Sequence, residues 1–462
     1  MSSVTTIFTP VSCPPANSKR LKLCGNHSFP KSIKHSSLLC QNRFKCVYQS
    51  VTRNPLALRL DTPAQKCWLV SGSSIIIGEG AGTHFNRTTI IRNNLIGMLG
   101  DVGMRGAGDF SRNNLDCLRL ILASTVALFH VYALSGISAF SAFGKYLSPH
   151  FAVRSFFVIS GLLIYQSYTR SSSIRSYLEK RVRRIYPAYF AVIACAALGF
   201  YLVSPLPASR YFGAQFWQYL GANLCFLNFL APCLPGVFSS NINSAVNGAL
   251  WTLKIEVAFY LLVPLIHYLS NRFGVRKTMA TIFCISCLWK YGFAWLDFLY
   301  GSVGPDVAEN SRSIYAKMEV QFPAQLAYFT AGILLLLYFD KLKSHFRVIA
   351  CIAAVLYLSD HFIAKEILDI FWISGVVFVF GFWRYFGNFA RFGDFSYGVY
   401  IVHWPIIQTI IVLGHGRLSP PVYFLLCLTL VTLTSVLMWH LVEKRFLKTS
   451  SHYRQGSKLT PT

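Results

Sequence analysis

From Asp116 onward the chain is a succession of apolar runs, and no other feature limits its fold as strongly. The runs cover 117–137, 150–169, 186–205, 249–270, 278–299, 320–339, 346–360, 365–385, 396–414 and 421–442. Several approach or exceed the ~20 residues a helix needs to cross a bilayer. Lipid offers no partners to backbone N–H and C=O groups, so such runs must be helices that satisfy themselves. Only 13% of the 462 residues are charged, about half the ~25% of a soluble domain. The expected fold is therefore all-α: a polytopic membrane protein with about ten transmembrane helices.

The net charge of +26 raises the question of a nucleic-acid partner. Such a ligand calls for a continuous basic face on a soluble domain. Here the cations beyond residue 110 fall mostly in short loops between apolar runs, which is how membrane proteins mark their cytoplasmic side. No nucleic acid is expected; the lipid bilayer is. The most basic loop, "RSSSIRSYLEKRVRR" (170–184), and the loop around Arg272, Arg276 and Lys277 are both assigned to the cytoplasm. An even number of crossings must then separate them, and runs 186–205 and 249–270 already supply two. The ambiguous stretch 213–232 ("GAQFWQYLGANLCFLNFLAP") is accordingly expected not to cross, but to lie at the outer interface or to enter and return as a re-entrant segment. The same parity puts the Asp340–Arg347 and Arg384–Arg391 loops, and both termini, in the cytoplasm.

Residues 1–110 are of another kind, with 13 Lys/Arg against four acids and no helical periodicity. They read as a basic, disordered extension, or as a stretch upstream of a true start at Met98 or Met104. The composition would also suit a transit peptide, whereas no secretory signal is evident. No function is assigned to them. Residues 111–448 form the membrane domain and 449–462 a polar cytoplasmic tail. The thirteen cysteines include one CxxC, Cys284 to Cys287, inside an apolar run where cysteines read as small apolar fillers, so neither a disulfide framework nor a metal site is expected.

Ionisable side chains inside a bilayer are costly and usually face a partner or a cavity. In "RLILASTVALFH", Arg119 and His130 are eleven residues apart. At ~100° per residue that is three turns plus ~20°, so both lie on one face, about 16 Å apart. Singly, Arg119 reads as a snorkelling anchor and His130 as a hydrogen-bonded packing residue. Sharing a face weakens both bland readings. A neutral imidazole takes up a proton near neutral pH, and little else on this helix would serve as a general base.

Other stretches carry two readings each. In "NGALWTLKIEVAFYLLVPL" (247–265), Glu256 and Lys254 stand two apart and cannot neutralise one another. Glu256 either pairs structurally with Arg154, which begins the second run, or assists catalysis. Trp251 suits the interface. "FFVISG" (156–161) sets small Ser160 and Gly161 in mid-span, for helix packing or for approach of a ligand. "EKRVRRIYP" (179–187) puts Arg181, Arg183 and Arg184 just before a proline-started helix. Topology alone accounts for those cations; the alternative is an anion site at a helix amino terminus. "FSYGVYIVHWPI" (395–406) holds a second intramembrane histidine, His403, although its aromatics and proline also suit a kinked, packed helix.

Five of these stretches, in order, resemble the integral-membrane acyltransferase 3 family, the O-acetylases of bacterial O-antigens, exopolysaccharides and related glycans. "LDCLRLILASTVALFHVY" matches its Arg-x10-His pattern through Arg119 and His130, and "FFVISGLLI" follows. "RVRRIYPAY" fits RxxR through Arg181 and Arg184. "LWTLKIEVAFYLLVP" fits Trp-Ser/Thr-Leu-x-x-Glu through Glu256, and "FSYGVYIVHWPI" fits Ser-Tyr-x-x-Tyr-x-x-His-x-Pro through His403. The resemblance runs from about Asp116 to Arg445. It departs at Glu256-Val257, where the family has Glu-Glu or Glu-Gln, and at Glu443-Lys444-Arg445, where it often has Glu-x-Pro.

The resemblance implies a membrane-bound O-acyltransferase. It would move an acyl group, expected to be acetyl, from cytoplasmic acyl-CoA to a hydroxyl of an exported carbohydrate such as O-antigen, exopolysaccharide or a lipo-oligosaccharide. It casts His130 as the base or transient acyl carrier and Glu256 as its catalytic partner. Arg119, Arg181 and Arg184 would hold the donor, and Arg154, Ser160, Trp251 and His403 would complete the substrate-binding set. Acetyl-CoA enters as a substrate, with no permanently bound cofactor. The implied location is the bacterial cytoplasmic (inner) membrane. A multi-pass transporter or flippase for a glycan or lipid-linked intermediate is the competing reading, disfavoured by the lack of an internal repeat. A non-catalytic scaffold would leave the histidine unexplained.

Overall fold

The structure is a computed structural model, which describes residues 67–71, 74–78, 112–300, 313–360, 368–414 and 417–448. The expectations for the 449–462 tail lie outside the described residues. So do those for 1–110, except for one antiparallel hairpin. Its strands, β1 (Cys67–Ser71) and β2 (Ser74–Gly78), pair Trp68 with Ile77 and Val70 with Ile75. This hairpin falls in a compact unit of its own, Pro14–Met98.

The membrane unit is built on ten apolar helices: α1 (Leu115–Ser135), α2 (Pro149–Thr169), α3 (Ile174–Gly199), α4 (Trp251–Phe273), α5 (Val275–Tyr300), α6 (Phe322–Leu337), α7 (Phe346–Ser359), α8 (Asp369–Phe382), α9 (Ser396–Gly414) and α10 (Pro420–Met438). Among the described residues, eight helical segments are long and apolar enough to cross a membrane. The exceptions are α7 and α8, with 14 residues each, about 21 Å of helix against a hydrocarbon core of ~30 Å. The chain is thus an all-α, multi-pass membrane protein.

Local chemistry sets the helix ends. Asn114 pins the start of α1 to the end of α8: its side chain donates to the carbonyls of Phe380 (3.1 Å) and Arg384 (2.5 Å) and accepts from the Phe386 N–H (2.9 Å). Gly136, at φ 66°, ends α1 in a left-handed turn that a residue with a Cβ adopts only at a cost. Ser148 caps α2 through the Phe151 N–H (3.1 Å), with Pro149 in the first turn.

The arginine-rich stretch corrects one expectation. Helix α3 does not start at Pro187. It starts at Ile174, capped by Ser173 through the Ser176 N–H (3.1 Å), and carries Pro187 in its interior. Proline favours a first turn, but the N-cap serine, fourteen residues upstream, begins the helix first. Arg181 and Arg184 therefore sit two to three turns inside α3, beyond the reach of its amino-terminal dipole.

Residues 213–232 contain one eleven-residue helix, Ala214–Leu224, about 16 Å long and too short to cross. Asn223 ties it down by donating to the Tyr219 and Ala231 carbonyls, while the Tyr189 hydroxyl donates to the Asn223 carbonyl (2.6 Å). The non-helical backbone that follows, from Pro232 to Asn247, is pinned to α9. Trp404 Nε1 donates to the Ala245 carbonyl (3.1 Å), Gln408 to those of Asn243 and Ala245, and Asn247 to that of Ile401 (2.8 Å). Irregular backbone is tolerable within a bundle only with such cover.

Gly161 settles how "FFVISG" is used. A Cβ at Gly161 would lie 2.0 Å from the Phe329 carbonyl oxygen, and one at Gly332 would lie 1.9 Å from that of Val158. The stretch is where α2 and α6 touch backbone to backbone, as small residues permit. Ser160, next to it, is half-buried.

Candidate active site

Helices α1 and α9 run parallel, because residues advancing along one meet residues advancing along the other: Arg119 meets Asp394, and His130 meets His403. The common face computed for Arg119 and His130 is the face that packs against α9. The two contacts form two rungs at different depths.

The first rung is ionic. Asp394, buried just ahead of α9, accepts from Arg119 Nη1 (2.5 Å) and from Arg184 Nη2 of α3. Arg184 Nη1 also reaches Glu443 (3.2 Å), which a widened π turn over Trp439–Glu443 carries at the end of α10. Burial alone would raise the Asp394 carboxyl, but the Arg119 and Arg184 guanidiniums and the Ser396 hydroxyl hold it well below the usual carboxylate range. Its place at the amino end of α9 suits a negative charge as well. Two cations and two carboxylates from four parts of the chain thus meet in one cluster, with a third carboxylate, Asp116, 3.9 Å from Arg119. Arg181 is treated differently: it donates to the Ser167 hydroxyl (3.0 Å), lies 5.9 Å from the Tyr260 ring, and has no ion-pair partner among the described residues.

The second rung is the histidine pair. His130 Nδ1 and His403 Nε2 are 2.8 Å apart, the rings stack at 5.0 Å, and both side chains are wholly buried. His403 Nδ1 lies 3.1 Å from the Val399 carbonyl. A carbonyl only accepts, so Nδ1 must carry the proton of a neutral His403 and its Nε2 the lone pair. His130 Nδ1 must then donate to that lone pair. The hydrogen bonds thus assign the tautomer, and they put the basic lone pair of His130 on Nε2. Trp404 packs edge-on to the His130 ring at 4.8 Å. It fits there because Gly248 has no side chain; a Cβ would lie 2.5 Å from the indole.

A small cleft opens onto His130. His150 and Arg154 of α2, Trp251 of α4, Gln325 of α6 and Tyr400 of α9 help to line it. Three residues singled out in the sequence, His130, Arg154 and Trp251, are therefore brought together.

Arg154 and Glu256 are not. The expected ion pair between them is absent: Arg154 Nη1 binds Asp369 at 2.6 Å. Asp369 also receives Lys290 (3.4 Å) and the Tyr328 hydroxyl. Glu256 instead accepts from Tyr260 (2.7 Å), one turn along its own helix. The reason is positional. Asp369 begins α8 and is almost fully buried beside α2 and α5, so it offers Arg154 a desolvated anion that Glu256 does not. Sequence reasoning passed over Asp394, Asp369, Lys290, His150 and Gln325. Lys290 and Asp369 carried a usable signal, as charges inside apolar runs.

Comparison with known proteins fits this geometry. The family model described as an acyltransferase domain matches residues 112–440. An O-acetyl transferase of Shigella phage Sf6 is 29% identical over 350 residues, covering 73% of this chain and 97% of that protein. Nodulation protein 10 of Rhizobium leguminosarum bv. viciae is 26% identical over 324 residues, 66% of this chain and 85% of its own length. O-acetyltransferase OatA of Staphylococcus aureus (strain NCTC 8325 / PS 47) is 30% identical over 174 residues, 34% of this chain but only 27% of OatA. No solved structure matches the chain. With a match over most of its length, and the histidine pair and cleft inside that match, the chain belongs to the acyltransferase family and is a membrane-embedded acyltransferase.

Proposed function

We propose that the protein is an O-acetyltransferase that moves an acetyl group from acetyl-CoA on the cytoplasmic side to a hydroxyl of a carbohydrate entering from the other side. The observation that carries this reading is the tautomer of the histidine pair, of which His130 lines the cleft. His130 Nε2 takes the hydroxyl proton as the oxygen attacks the thioester carbonyl. The C–S bond then breaks, and the CoA thiolate takes the proton back from Nε2, so that the ester and free CoA-SH leave with atoms balanced. His403 is a positioning residue. It accepts from Nδ1–H of His130 and so supports the imidazolium that forms, much as a buried carboxylate supports the histidine of a serine hydrolase.

The ionic rung forms the donor end in this reading. Arg119 and Arg184 are fixed by Asp394, and Arg181 is the cation left to meet CoA phosphate. The acceptor end is the cleft, where Trp251 and Tyr400 offer flat apolar faces to a sugar. Glu256, held by the Tyr260 hydroxyl rather than paired with Arg154, orients the reacting groups. The two ends lie on opposite sides of the histidines, which supports donor and acceptor arriving from opposite faces.

The test is vectorial. Protein in vesicles of known orientation is supplied with labelled acetyl-CoA on one face and an oligosaccharide on the other. Label should reach the sugar only when acetyl-CoA is on the face bearing Arg181. Equal transfer from either face would overturn the assignment of ends, and no transfer from either would overturn the reaction.

For His403, the expected result is a kcat on the order of 10²-fold lower in His403→Ala, with both KM values little changed. His403→Gln, whose amide oxygen can still accept from Nδ1–H, should recover part of that loss. The double variant His130→Ala/His403→Ala should be no worse than His130→Ala alone. Additive losses would show that His403 acts independently of His130.

A further inference from the structure

The wall of the cleft carries a charge pattern that bears on what the acceptor is. Arg154 and His150 line it, and no carboxylate does so among the described residues. The Arg154 guanidinium is held in place by Asp369, which lies outside the lining and is itself bound by Lys290 and Tyr328. A guanidinium fixed in this way is pre-ordered for a second anion at low entropic cost. Gln325, buried in the same wall, holds its amide by donating to the Val320 carbonyl (3.2 Å), and Trp251 and Tyr400 supply the flat apolar surface that a sugar ring prefers.

We infer that the cleft selects an acceptor sugar that bears a carboxylate, with Arg154 as the specificity-determining residue and His150 beside it. The carboxylate anchors on Arg154 while the ring lies on the aromatic faces, and this turns one hydroxyl toward His130 Nε2. This inference rests on the acyltransferase reading of the cleft and adds the substrate class to it.

The experiment compares an oligosaccharide ending in glucuronic acid with its neutral methyl ester, which has the same hydroxyls. In the wild type, kcat/KM should favour the free acid by about tenfold or more, the worth of one charge-assisted hydrogen bond. Arg154→Gln should bring the ratio near one, and Arg154→Lys should keep part of it. Because Arg154→Gln strips a partner from buried Asp369, His150→Glu serves as the second variant. It leaves the Arg154–Asp369 pair in place and should turn the preference toward the ester. Binding of both sugars to His130→Ala protein, followed by ligand-observed NMR, reads the same preference without turnover. Equal kcat/KM and equal binding for acid and ester would overturn the proposal, while acylation of both would leave the enzyme reading standing. If neither sugar is acylated, the reaction fails, and the binding measurement decides the charge preference by itself.

Discussion

His130→Ala is expected to fold, insert and bind both substrates, yet to transfer acyl groups about 10²–10⁴ times more slowly than the wild type. The size follows from what the substitution removes. His130 lines the cleft and carries its lone pair on Nε2, and its partner His403 already commits its own Nδ1 to the Val399 carbonyl. His403 cannot take over, because its Nε2 faces position 130 rather than the acceptor. Measurement of single-turnover transfer, with folding checked by size exclusion, isolates the chemical step. Wild-type rates from a folded His130→Ala protein would sink the mechanism. His130→Gln sharpens the test, since it restores bulk and hydrogen bonding but no base; it should be as slow as alanine.

The second large effect concerns stability. Asp394→Ala leaves Arg119 and Arg184 facing one another without their shared anion in a buried site. Removing one partner from a buried ionic cluster typically costs about 3–5 kcal/mol. Glu443 remains to Arg184 at 3.2 Å, whereas Asp116 remains to Arg119 only at 3.9 Å, so the loss should fall toward Arg119 and the α1–α9 contact. Asp394→Asn keeps hydrogen-bonding atoms while losing the charge, and should lie between. Thermal unfolding in detergent gives the order directly; a midpoint for Asp394→Ala equal to the wild type would show that the cluster contributes nothing net.

Much of the fold was legible because lipid leaves few options: long apolar runs had to be helices. The common face of Arg119 and His130 was legible for a similar reason, since it follows from the helical repeat alone. The partners were not. Asp394 is 275 residues from Arg119 and His403 is 273 from His130, and no local pattern reports a contact over that separation. Arg154 was given to Glu256 by proximity at the expected end of the bundle, whereas burial favoured Asp369. The α3 start was misread for the opposite reason, a local signal taken too strongly: Pro187 stood out, while the modest Ser173 cap did not.

The connection between α3 and α4 has a consequence for how such an enzyme changes its substrate. Its extended stretch hangs on α9 by the side chains of Trp404 and Gln408 and by Asn247, and then leads into Ala249 and Trp251 of the cleft. His130 and His403 belong to a pair of parallel helices, where any shift in register would break both rungs together. The connection has no register to keep, only a few anchoring points. Lengthening or trimming it between those anchors would reshape the mouth of the cleft without moving His130, so one chemical centre can be fitted with different entrances.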